Sequence, residues 1–61
     1  MREEAIVEAI EEAKRFAAAA GRARKRLRED KYAYMGCAET AACRRASMDL
    51  TKALARLRKT E

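Results

Sequence analysis

The sequence predicts an all-α fold: an antiparallel two-helix hairpin that dimerises into a four-helix bundle. Three observations predict it. The 61 residues contain no proline and only two glycines, and they are rich in Ala, Arg, Glu, Lys and Leu, which lose least on entering a helix. Two long segments carry apolar residues at alternating spacings of three and four, the period of one helix face packed on another. Between them a short stretch mixes charge, aromatic residues and a glycine, and the pattern stops.

The first helix is predicted over about residues 3–28. Ile6, Ile10, Ala13, Ala17, Ala20 and Leu27 form its seam, with Arg24 the one polar interruption, and Phe16 and Ala23 widen the same face. Gly21 lies inside it at a cost of about 1 kcal/mol against alanine. Glu3, Glu4, Glu8, Glu11 and Glu12 crowd the start and Arg24, Lys25, Arg26 and Arg28 the end, both placements that suit the helix dipole.

The turn is placed at about residues 29–37, which contain Tyr32, Tyr34, Met35 and Gly36. A turn at Gly36 itself, or a break at Gly21, are the two other layouts open to this pattern. The second helix follows over about residues 38–59, with Ala42, Cys43, Ala46, Leu50, Ala53, Leu54 and Leu57 as its apolar stripe. Charge favours folding the two helices back on each other. Residues 2–12 hold one arginine and five glutamates, whereas residues 52–59 hold four basic residues and no acid. An antiparallel hairpin lays these segments side by side. Each exposed pair contributes well under about 1 kcal/mol, but the set selects register.

A chain this short buries only about 60% of the surface its unfolded form exposes. Alanine-rich seams bury little apolar area per residue, at about 25 cal/mol per Å². Disulfides, a metal or self-association make up such a deficit in small domains. Cys37 and Cys43, six apart on one helix, point roughly 240° from each other and do not bridge; with no histidine, they also cannot complete a zinc site. Both are expected to be free, Cys43 in the core and Cys37 the more exposed. Self-association remains, and a homodimer is expected. Its core and dimer residues are Ile6, Ile10, Ala13, Phe16, Ala17, Ala20 and Leu27 from the first helix, and Cys43, Ala46, Leu50, Leu54 and Leu57 from the second. Met48 is read as packing material.

Several function classes are disfavoured. Nucleophilic catalysis by serine or cysteine needs an adjacent base, and there is no histidine and one serine. The carboxylates are strung along a charged face rather than paired in a pocket, and no glycine-rich loop is present to cradle a phosphate. The expectation is therefore no enzyme, no cofactor and no metal. The acidic N-terminus is unlike a signal peptide, and no stretch approaches the roughly 20 apolar residues of a membrane span. A cytoplasmic protein without membrane association is expected.

What the sequence offers for binding is basic. The formal charge is +5 and the pI about 9.7. Lys14, Arg15, Arg22, Arg24, Lys25, Arg26 and Arg28 lie on the first helix and Arg44 and Arg45 early in the second, so the hairpin gathers cations toward its turn end. This is the footprint expected for an acidic protein face or for nucleic acid, set against the plainer role of keeping an alanine-rich protein soluble. Tyr32 and Tyr34 beside it add side chains favoured at the desolvated centres of interfaces, or serve to close the end of the bundle.

A chain of about sixty residues, with alanine seams and a turn near residue 30, resembles the Rop-type plasmid regulators. The resemblance is one of architecture, with no specific motif. It implies an antiparallel four-helix dimer that binds paired RNA loops across its first helices, near Lys14, Arg15 and Phe16. The chain is similar in size and style to the small helical proteins with which phages and other mobile elements block host regulators. The leading expectation is a protein-binding regulator or inhibitor acting on a host regulatory protein, such as a transcription regulator, or on a nucleic-acid-handling complex. It would bind through Arg22, Lys25, Arg26, Arg28, Tyr32, Tyr34, Arg44 and Arg45. A Rop-like RNA- or DNA-binding dimer is the second reading, and a structural assembly adaptor the third.

Overall fold

The computed structural model describes residues 1–32 and 36–59. Two helices account for nearly all of them: α1, Glu3–Glu29, and α2, Ala38–Lys59. They pack side by side as a hairpin of 45 × 15 × 11 Å. The long dimension is close to the roughly 40 Å of a 27-residue helix, so the helices lie along one another for their length.

Asp30 ends α1 through three contacts. Its backbone N–H closes the last turn onto the Arg26 carbonyl at 3.0 Å, and one carboxylate oxygen pairs with Arg26 Nη2 at 3.3 Å. The other accepts the Tyr32 N–H at 2.9 Å, turning the chain away from the helix axis. Gly36 then adopts φ +127°, a conformation open to glycine and strained for any L side chain. Cys37 caps α2. Thr40 Oγ1 accepts the Cys37 N–H at 3.3 Å and donates to the Cys37 carbonyl at 3.0 Å, which covers polar groups at the helix start.

The contact between helices is made of alanine. Ala9, Ala19 and Ala23 of α1 are buried with Ala46 and Ala53 of α2, and Ala53 is fully enclosed. Among the described residues no large side chain is fully buried. Phe16, Ala20, Cys43, Leu50, Leu54 and Leu57 are half-buried.

The stripe of α1 that meets α2 is therefore not the one its larger side chains mark. Ala5, Ala9, Glu12, Phe16, Ala19 and Ala23 form the inner line, whereas Ile6, Ile10, Ala13, Ala17 and Leu27 of the expected core are exposed in the single chain. Both lines have near-heptad spacing, and they lie about 100° apart around the helix. Small side chains decide between them, because they allow the axes of two helices to approach toward the low end of the 8–10 Å range. Met48, read from sequence as packing material, is 56% exposed, because it lies on the side of α2 opposite Ala46 and Ala53. The two cysteines are free and both half-buried, so Cys37 is not the exposed member of the pair; its place in the cap of α2 shields it.

Among the described residues no helix is long and apolar enough to cross a membrane.

Candidate interaction site

The C-terminal half of α1 places its cations by helix periodicity. Gly21, Arg24, Lys25 and Arg28 stand at spacings of three, four and seven, which share one side of a helix. They line an open depression with Glu29, and a Cβ on Gly21 would meet nothing within 4 Å. The same glycine reads from sequence only as a helix weakness. The i, i+3, i+4, i+7 pattern of basic residues around it was the available signal.

Two further depressions surround the same half-helix. Arg22, Lys25, Arg26 and Glu29 face Glu39 at the start of α2, which joins the two helices into one surface. Around the end of α1, Arg26, Arg28, Glu29, Asp30 and Lys31 surround the apolar Leu27 and Tyr32. Tyr32 is 65% exposed, and the Lys31 ammonium lies 5.3 Å from its ring centroid, within cation–π range.

The structure thus brings Arg22, Lys25, Arg26, Arg28 and Tyr32 together. Arg44 stands apart, over a depression with Gly36, Cys37, Thr40 and Ala41, and Arg45 is exposed on α2. Tyr34 and Met35 lie outside the described residues.

The electrostatics are mixed. Residues 22–31 hold six basic side chains against two acidic ones. Arg26 is tied to Asp30, but among the described residues Arg22, Arg24, Lys25, Arg28, Arg44 and Arg45 form no salt bridge. Lys14 is exposed on α1, and Arg15 pairs with Glu12 at 3.2 Å. The acids missed in a charge count along the first helix are Glu29 and Glu39, which sit within the basic cluster and divide it. Among the described residues no group of three or more His, Cys, Asp or Glu side chains is placed to hold a metal ion. The depressions are open hollows on a convex rod. They suit contact with another surface better than enclosure of a small molecule.

No protein-family model, no curated protein and no solved structure matches the chain.

Proposed function

We propose that the chain is a non-enzymatic protein-binding regulator whose basic turn end docks on an acidic protein face. The observation that carries this reading is the composition of the depression at the end of α1. There Arg26, Arg28 and Lys31 surround the exposed Tyr32, with Glu29 and Asp30 in the same lining. A phosphate backbone gains from cations and is repelled by carboxylates at the contact, so two acids here count against nucleic acid. A protein partner uses both signs for register, arginine for carboxylates, and tyrosine as a desolvated anchor. Arg22 and Lys25, which form no salt bridge among the described residues, line the adjoining depression with Arg26. The acidic partner proposed is a regulatory or nucleic-acid-handling protein, which docking at this surface would block.

The test is a pull-down with the native protein and with an Arg26→Glu/Arg28→Glu variant, each checked for helicity. Recovery of an acidic protein by the native chain alone supports the proposal. Tight binding to hairpin RNA or duplex DNA that falls steeply with salt would replace it with a nucleic-acid role.

A further inference from the structure

The hairpin leaves one face largely apolar, with Arg24 its polar interruption. The Glu8–Arg56 ion pair marks one edge shared by the two helices. Counting roughly 100° per residue, Ile6, Ile10, Ala13 and Ala17 lie about 100° round α1 from its alanine contact line, with Leu27 about 40° round, all on the side away from Glu8. On α2, Ser47 and Leu54 lie about 100° round from Ala46 and Ala53, on the side away from Arg56. The two stripes therefore share the face opposite the ion pair. Ile6, Ile10 and Leu27 are 39%, 49% and 43% exposed on it. From this we infer that a second copy of the chain covers this face, with each α1 packed antiparallel on its counterpart.

Three observations select that occupant and that direction. The first is area. The chain exposes 4965 Å², roughly 1,000 Å² more than a compact monomer of its mass. A standard interface removes about 800 Å² from each partner, so the surplus is what one dimer contact absorbs.

The second is charge. Residues 2–12 of α1 hold five glutamates and one arginine, and residues 22–28 hold five basic residues and no acid. Antiparallel pairing sets each acidic half beside the basic half of the other copy. Parallel pairing sets like on like at both ends, a repulsion that discriminates between arrangements.

The third is the order of side-chain sizes. The α1 stripe is small at its middle, with Ala13, Ala17 and Ala20, and large at its ends. A two-fold axis near Ala17 brings the two helices closest where they are smallest and sets Leu27 against the partner's Ile6. The Glu8–Arg56 register puts Ser47 level with Ala17, so the same axis passes near Ser47 on α2. Leu50 and Leu54 then fall opposite the smaller Cys43 and Thr40 of the partner subunit. Arg24 lies within this interface and Arg28 at its border, while Arg22, Lys25 and Arg26 face away from it.

The inference rests on the apolar face and is independent of what the basic end binds. It is tested by the solution mass of the native protein and by disulfide trapping. Ala17→Cys, in a Cys37→Ser/Cys43→Ser background, places a thiol on the proposed axis, and Arg22→Cys places one on the far side of α1. Sedimentation at micromolar concentration is expected to give twice the 6.9 kDa chain mass, and mild oxidation to convert the Ala17→Cys protein almost wholly to covalent dimer while Arg22→Cys reacts little. If Ala17→Cys does not fold, Ser47→Cys reads the same axis from α2. A single-chain mass, a larger assembly, or a dimer in which the axial thiols cross-link no better than Arg22→Cys would overturn the inference. Arg26→Glu alone, at a position that faces away from this interface, is expected to weaken target binding while leaving the mass unchanged, so the two proposals fail separately.

Discussion

Arg56 donates its Nε–H to Glu8 Oε1 at 2.8 Å, joining two side chains 48 residues apart in the chain. The other salt bridges among the described residues, Glu12–Arg15 and Arg26–Asp30, are local to one helix or its end. The Glu8–Arg56 pair links the acidic start of α1 to the basic end of α2, the two segments whose opposite charge predicts the hairpin. With 42% and 56% of these side chains exposed, it specifies register more than it adds strength.

A double-mutant cycle with Glu8→Gln and Arg56→Gln is expected to give a coupling of about 0.2–1 kcal/mol in denaturant unfolding. The coupling should shrink as salt is raised, since both groups are reached by counterions. A coupling of several kcal/mol that ignores salt would contradict the exposed geometry.

Ala53 and Ala18 are both helical alanines with opposite surroundings. Ala53 has no exposed surface, and Ala18 is exposed on α1. Ala53→Leu is expected to cost about 1–3 kcal/mol by forcing the helices apart. Ala18→Leu should change stability by less than about 0.5 kcal/mol. Thermal or urea unfolding of the two variants checks the contrast directly.

The two glycines should respond to alanine with opposite signs. Gly36→Ala meets no neighbour within 4 Å but inherits φ +127°, so backbone strain should destabilise it by about 1–3 kcal/mol. Gly21→Ala sits in a regular helix with open space around the new methyl, and a gain of about 0.5–1 kcal/mol is expected. Equal effects in melting experiments would show that one of these backbone descriptions is wrong.

Cys37 occupies the cap position of α2 with a side chain poorly suited to it. Thr40 Oγ1 already takes the Cys37 N–H, one half of a reciprocal cap. Cys37→Ser supplies the better acceptor for the first turn, and a stabilisation on the order of 1 kcal/mol is expected. Helicity and unfolding midpoint would show it; a loss of similar size would mean that the sulfur contributes through packing.

The two helices and the interruption between them were legible because composition and periodicity agree over more than twenty residues in each helix. The inner contact line was not. α1 carries two lines of near-heptad spacing, and a hydropathy reading favours the one with Ile6, Ile10 and Leu27 over the one with Ala9, Ala19 and Ala23. Which line meets α2 depends on how closely two axes can approach, a property of the pair of helices that neither helix displays alone. The basic half of α1 was visible as a run of arginines. Glu29 and Asp30 stand at its end in the sequence, but its partition by Glu39 required the return of the chain, since Glu39 reaches that surface only from α2.

The alanine-centred contact between the helices also shapes how the hairpin melts. A seam whose fully buried side chains are methyls has little hydrocarbon to return to water, so a small heat-capacity increment of unfolding and a shallow denaturant slope are expected for this chain length. With that curvature reduced, the free hairpin's stability is expected to vary gently with temperature, and its unfolding to be broad rather than sharp. Helix propensity, spread evenly over both segments, then matters as much as the packing between them.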